Sequence, residues 1–151
     1  MKKIAIIPAF LFIAVLWSLN VNSQSYRTAA GIRISSQQPA VNNSITLKHF
    51  FNESLAIEGL LSFGDPVALG ALLEKNRPIG PNGLNWFWGA GAYFAFGGPR
   101  NGGLQGALGF DYRIPNLPLN ISVDWKPELN LAEQFSFEPA AVAVSARFVF
   151  N

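Results

Sequence analysis

Hydrophobic and polar residues alternate with a period of two along most of the chain after residue 23. This period puts successive side chains on opposite faces of an extended backbone, so it predicts β-strands. Clusters of Gly, Pro, Asn and Asp separate the alternating stretches and predict turns. Eight strands are predicted, over Tyr26–Ser35, Ser44–Phe50, Leu55–Phe63, Val67–Lys75, Leu84–Phe96, Leu104–Arg113, Leu119–Lys126 and Ala141–Phe150.

The connections between these strands are short, except for the one over Glu128–Pro139. Short connections join antiparallel neighbours, because a parallel pair needs a long crossover. Eight strands of about 9–11 residues each, with their turns, account for residues 24–151. The pattern therefore predicts an all-β fold, namely an eight-stranded antiparallel up-and-down β-barrel.

The composition of the polar face indicates which side of this barrel meets lipid. In a soluble secreted barrel, which is the alternative, the apolar face is inside; in a transmembrane barrel it is outside. The polar face here is rich in Gly, Ala, Ser and Asn, which suit the narrow interior of an eight-stranded barrel. Four acids and five bases on this face can neutralise one another, and they are Arg27, Arg33, Glu58, Glu74, Asp111, Arg113, Asp124, Lys126 and Arg147. These features favour a transmembrane barrel with an interior filled by side chains.

Aromatic residues at the strand ends support the same interpretation. If the barrel starts and finishes on the periplasmic side, the aromatic residues form one belt at each membrane interface. The outer belt contains Phe63, Phe94, Phe96 and Trp125. The periplasmic belt contains Tyr26, Phe50, Trp86, Tyr112, Phe148 and Phe150.

The N-terminus has the layout of a secretory signal peptide. Lys2 and Lys3 precede an apolar run over 4–17, and a polar stretch follows. The run is shorter than the roughly 20 residues that a membrane-spanning helix needs. We predict cleavage between Ser23 and Gln24, so that residues 1–23 are the signal peptide and 24–151 the barrel domain. The predicted location is the outer membrane, reached through the periplasm.

Composition and charge then exclude several function classes. Only 13% of the residues are charged, compared with about 25% in soluble domains. The precursor has 11 basic and 9 acidic residues, but Lys2 and Lys3 leave with the signal peptide. The mature chain is then neutral, which argues against a nucleic-acid partner. The absence of cysteine excludes a lipoprotein anchor, disulfides and thiolate metal sites.

Three short stretches resemble a known family. They are Gly-Leu-Asn-Trp at 83–86, with the aromatic residues that follow it; Asp-Tyr-Arg-Ile-Pro at 111–115; and Asp-Trp-Lys-Pro at 124–127. In these stretches the chain resembles a family of small outer-membrane β-barrel proteins common in Bacteroidota, and the resemblance covers most of the mature chain. The family has no assigned activity, so the resemblance implies a fold and a location only.

No catalytic, cofactor or metal site is predicted. His49 is the only histidine and has no nucleophile motif near it. Paired carboxylates such as Glu58 and Asp111 suggest a hydrolase, but an interior salt-bridge network explains them better. A pore is the third interpretation, and large inward side chains such as Phe87 and Tyr93 argue against it.

The leading hypothesis is a non-enzymatic barrel that serves as a structural component or an accessory subunit of a larger outer-membrane complex. Its expected partners are outer-membrane lipid and a neighbouring outer-membrane protein. The connection over Glu128–Pro139 is the best candidate for interaction, because it places Leu129, Leu131, Phe135 and Phe137 among acids. The alternative is a lipid-binding or lipid-modifying barrel enzyme, which needs a polar cluster at the outer rim. His49, Ser62 and Asp65 do not form one, since the topology places His49 at the opposite end.

Overall fold

The computed structural model describes residues 26–35, 39–80, 82–97, 101–132, 135–139 and 141–150. The predicted signal peptide lies outside these residues. Within this part of the chain, no helix is long and apolar enough to cross a membrane. The strands are β1 Thr28–Ser35, β2 Ser44–Phe50, β3 Leu55–Phe63, β4 Val67–Pro78, β5 Leu84–Phe96, β6 Gly102–Arg113, β7 Leu119–Trp125, β8 Glu128–Asn130, β9 Ser136–Glu138 and β10 Val142–Phe150.

These strands form one closed antiparallel barrel. Its wall has eight strand positions, which we call staves, because β7 and β8 share one position and β9 and β10 share another. Neighbours in sequence pair from β1 to β7, β10 pairs with both β7 and β1, and β5 pairs with β6 to complete the ring. The predicted eight-stranded up-and-down barrel is therefore confirmed. We call the end of the barrel that holds Thr28 and Phe150 the terminal end, and the opposite end the far end.

The register shows how strongly the strands are staggered. The pairing can be followed once around the barrel from Val149 through Ala29 to Glu128, and it arrives at Glu138. The path thus returns to the stave on which it began, but at a different residue, Glu138 instead of Val149. This offset means that the strands are tilted relative to the barrel axis. With eight strands, the tilt leaves an interior only wide enough for side chains.

The segment predicted as a long loop over Glu128–Pro139 is a β-hairpin instead, formed by β8 and β9. β8 continues β7 in the same register against β6, and the ladder is interrupted where Pro127 lacks an N–H. β9 continues into β10 with a shift of one residue, which is the signature of a β-bulge. The seventh and eighth staves therefore extend to the far end, each broken once.

The alternation predicts the orientation of side chains along most strands. On β10 the exposed residues Val142, Val144 and Phe148 alternate with the buried Ala143 and Arg147. The same pattern holds on β7. The predicted far-end aromatic residues all point outward, and they are Phe63, Phe94, Phe96 and Trp125.

The terminal end departs from prediction at three residues. Tyr26 is buried, and Phe50 packs edge-on against it with ring centroids 5.0 Å apart. Both rings were expected in the outward belt but belong to the interior. Arg27 was expected on the inner face and is exposed. For Tyr26 and Arg27 the reason is that the paired strand begins at Thr28, so the alternation does not extend to the two residues before it. Phe50 instead follows the alternation of β2, which places it on the inward face with Thr46 and Lys48.

Gly91 is one of several glycines that close backbone approach between strands requires. A Cβ placed on Gly91 would lie 1.8 Å from the carbonyl oxygen of Ala71 and 2.8 Å from the Cα of Leu72. These are backbone atoms, which cannot move without distorting the β4–β5 pairing. In contrast, a Cβ on Gly59 would meet its nearest atom, the carbonyl oxygen of Leu47, at 3.9 Å.

We expect Gly91→Ala to lower the free energy of unfolding by about 1–3 kcal/mol through overpacking. The matched variant Gly59→Ala should leave it unchanged or raise it by up to about 1 kcal/mol, because alanine loses less chain entropy. Urea unfolding of the micelle-refolded protein, followed by tryptophan fluorescence, measures both. Equal stability of the two variants would contradict the close approach.

Candidate functional site

The lumen of the barrel carries a dense set of buried charges. They lie on the inward face of the strands, alternating with the apolar outward residues. Four acids and four bases form ion pairs with one another, and they are Glu58, Glu74, Asp111, Asp124, Arg33, Lys48, Lys126 and Arg147. Because the side chains are enclosed, each charge must be compensated within the protein.

Glu58 is the centre of this network. Its side chain has no solvent exposure, and its carboxylate is ion-paired with both Lys126 and Arg147. The Lys126 Nζ lies 2.8 Å from Glu58 Oε2. The hydroxyl of Thr46 donates to Glu58 Oε1 at 2.6 Å and accepts from Arg147 Nε at 3.2 Å. Arg147 continues the network by donating to Asn120 Oδ1 at 3.1 Å.

A second cluster lies nearer the terminal end, around Lys48. Its Nζ is 2.9 Å from Glu74 Oε2 and 3.2 Å from Asp111 Oδ2. It also donates to Asn76 Oδ1 at 3.0 Å. The Tyr26 hydroxyl donates to Asp111 Oδ2 at 3.2 Å. Burial, followed by the negative charge of Asp111, raises the pKa of Tyr26, so its hydroxyl keeps the proton that it donates.

The two clusters and a third ion pair form one continuous chain of contacts. Asn120 Nδ2 donates to Asp111 Oδ1 at 2.6 Å, which joins the Glu58 cluster to the Lys48 cluster. On the far side, Lys126 Nζ lies 3.5 Å from Asp124 Oδ1, which also pairs with Arg33 Nη2 at 3.0 Å. The network therefore fills the polar half of the lumen along its length.

Apolar side chains fill the other half of the lumen. Phe87 is only 1% exposed and lies under the Lys48 ammonium, which is 4.4 Å from the ring centroid. Tyr93 is buried in the same cluster, together with Leu72. Phe87 and Tyr93 are thus inside the barrel, as predicted from the alternation.

Glu128 has a different role from the one that the sequence predicted. It was expected among the acids of an exposed loop, but it is buried in the far mouth of the barrel. Its two carboxylate oxygens accept the backbone N–H groups of Ala40 and Val41 at 2.8 and 3.0 Å. Glu128 therefore fixes part of the β1–β2 connection over the mouth.

The sequence identified most of the network but missed Lys48. Arg33, Glu58, Glu74 and the other predicted inward charges are buried, whereas Arg27 is exposed and Arg113 sits half-buried at the terminal mouth. Arg113 donates there to the carbonyl oxygen of Ile114 at 3.0 Å. Lys48 follows the alternation of β2, with Thr46 and Lys48 inward and Leu47 outward, and that signal would have found it.

The residues considered for catalysis do not meet. His49 is at the terminal end, with Nδ1 2.9 Å from Thr28 Oγ1. Ser62 is buried towards the far end and donates to Asn42 Oδ1, and Asp65 is exposed in the β3–β4 turn. The candidate carboxylates are enclosed and ion-paired. Among the residues described, no group of three His, Asp or Glu is suited to hold a metal ion.

A cavity of about 640 Å³ lies at the terminal mouth, and we call it the mouth cavity. The ends of β4 and β6, the start of β5 and the β2–β3 turn surround it. Its walls carry three bases and one acid, which are Lys75, Arg77, Arg113 and Glu53. The buried residues Tyr26 and Asn76 form its floor. Among the residues that the structure describes, this cavity is where the interior network borders an opening of the barrel, through Tyr26 and Asn76.

We expect Glu58→Gln to lower the free energy of unfolding by about 3–5 kcal/mol, because it leaves Lys126 and Arg147 enclosed without their shared carboxylate. The matched variant Glu53→Gln removes an exposed carboxylate and should change stability by less than about 0.5 kcal/mol. Urea unfolding in micelles compares them. A cost for Glu58→Gln as small as that for Glu53→Gln would refute the central role of Glu58.

Comparison of the chain with models of protein families, with curated proteins and with solved structures finds no match. The resemblance of 83–86 and 124–127 to a barrel family stays a prediction. The arrangement of the barrel's surfaces is therefore the basis for a functional proposal.

Proposed function

We propose that the protein is an integral outer-membrane β-barrel without catalytic activity, serving as a structural component or an accessory subunit of a larger outer-membrane complex. One observation carries this proposal: the barrel is apolar outside and charged inside. Large apolar side chains project from the wall on every stave, whereas the ion pairs are enclosed in the lumen.

This arrangement is stable only where the wall is kept from water. Soluble monomers rarely expose contiguous apolar patches larger than a few hundred Å². Here Ile32, Leu47, Leu73, Leu108 and Val144 lie on different staves and are each about half exposed. Lipid acyl chains would cover such a wall without cost. Outward aromatic rings at both ends, such as Phe94 and Phe148, suit the two membrane interfaces.

The filled lumen supports a role on the outside of the barrel. Phe87, Tyr93 and the Glu58 network occupy the space through which a solute would pass. The candidate catalytic carboxylates are committed to ion pairs, so they have no substrate access. We therefore place the function in binding to the outer wall or to the rims of the barrel.

The β8–β9 hairpin supports the accessory role. Its end carries Leu131, Phe135 and Phe137 on the surface, and Phe135 is 77% exposed. Three large, exposed apolar residues on one hairpin fit the buried centre of an interface, where aromatic residues are enriched. A second outer-membrane protein is the partner that this hairpin suits.

Membrane insertion predicts that a charge on the wall is costly. Val144 lies near the middle of the stretch that β9 and β10 form together, and it is 51% exposed. In lipid, Val144→Arg should lower stability by about 2–4 kcal/mol, because the guanidinium would face the bilayer interior. Urea unfolding of the protein refolded in phospholipid vesicles measures this cost.

Leu117→Arg is the matched control, since Leu117 is similarly exposed but lies in the β6–β7 turn at the terminal rim. It should cost about 0–1 kcal/mol. A soluble barrel would tolerate both changes within about 0.5 kcal/mol. That result, or a failure to insert into vesicles, would refute the membrane proposal.

The accessory role predicts a complex that depends on the hairpin. Mild detergent extraction at native expression should retain a larger partner with the wild-type chain. The double variant Phe135→Ser/Phe137→Ser should lose it, because the apolar contact is removed. Phe63→Ser, which changes an equally exposed ring at the far end of β3, should retain it. Mass spectrometry of the purified material reads out the result, and a wild-type monomer without any partner would contradict the role.

A further inference from the structure

Two features of the outer surface meet at Trp86. The mouth cavity reaches Arg77, which lies directly opposite Trp86 in the β4–β5 pairing. Trp86 also lines an apolar groove of about 350 Å³ on the outer wall. The groove crosses β5, β6, β7 and β10, and its lining residues are Trp86, Leu108, Gly109, Phe110, Val123, Asp124, Trp125 and Val142. A polar cavity and an apolar groove thus adjoin at the terminal rim.

The mouth cavity is suited to an anion by its charge. Three bases against one acid leave an excess of positive charge. By the alternation of β4, the buried Asn76 is on the lumen side, whereas Lys75 and Arg77 are on the wall side. The residues that line the cavity therefore come from both faces of the sheet at the rim, where a group anchored in the membrane can approach Lys75 and Arg77.

The groove is suited to a hydrocarbon chain. It is lined by apolar side chains and carries almost no polar surface. It spans three inter-strand spacings of about 4.8 Å each, so it is on the order of 14 Å wide across the strands. That distance matches much of one extended acyl chain, and Trp86 of the groove lies opposite Arg77 of the cavity lining in the strand pairing.

We infer that this combined site binds an anionic phospholipid, with its phosphate in the mouth cavity and one acyl chain in the groove. The inference rests on the proposed membrane location. Lys75, Arg77 and Arg113 hold the phosphate and favour a headgroup with net negative charge. Trp86 lies at the junction, at the level of the headgroup.

The test uses the purified mature protein in detergent micelles with equal amounts of phosphatidylglycerol and phosphatidylcholine of the same acyl chains. Native mass spectrometry measures which lipid stays bound. The wild type should retain phosphatidylglycerol about tenfold better, since each basic residue near the headgroup contributes a several-fold preference. Lys75→Gln/Arg77→Gln should abolish the preference, whereas Arg27→Gln, an exposed base at the terminal end outside the cavity, should keep it.

A second pair of variants tests the groove. Val142→Trp fills it and should reduce retention of both lipids several-fold. Leu47→Trp enlarges a similarly exposed wall residue on β2, away from the groove, and should have no effect. Inorganic phosphate is the third probe. If millimolar phosphate displaces phosphatidylglycerol and Val142→Trp has no effect, the site binds free phosphate. That result would overturn the inference that it binds a phospholipid.

Equal retention of the two lipids by the wild type would also overturn the inference. So would a preference that survives Lys75→Gln/Arg77→Gln. The vesicle insertion experiment separates these outcomes from a failure of the proposed function. A chain that inserts and is destabilised by Val144→Arg, yet shows no lipid preference, lacks the lipid site but remains a membrane barrel.

Discussion

The pairing of buried charges around Glu58 is the constraint on which the rest of this barrel depends. A single carboxylate compensates both Lys126 and Arg147, and Asn120 links this cluster to Asp111. Enclosed charges cost several kcal/mol each unless they are paired. The barrel can therefore close only in the register that brings residues from β3, β10 and the end of β7 to the same level of the lumen.

Placing the charges inside leaves the apolar residues outside. Because Phe87 and Tyr93 occupy the remaining lumen, the interior acts as a core. The surfaces available for binding are the wall and the two rims. The proposed partner and lipid sites lie on these surfaces, at Phe135 of the β8–β9 hairpin and at the mouth cavity beside Arg77.

The same rule of alternation explains where prediction of the site succeeded and where it failed. Inside paired strands it assigned Glu58, Asp124 and Arg147 to the lumen correctly. At a strand end it failed, because Tyr26 precedes the first paired residue and turns inward to reach Asp111. It also gave no account of Glu128, whose position depends on a hairpin that the sequence pattern left as a loop.

The sequence by itself determined the strands, their faces and the number of staves, because a period of two is a local property of an extended chain. It also determined that the inward charges could neutralise one another. Only the tertiary structure decided which charges pair, because partners such as Arg33 and Asp124 are distant in sequence and meet only through the stagger of the closed barrel. It likewise decided that Asn76 and Arg113 share one cavity beside Trp86, since that depends on how the strand ends assemble at the rim.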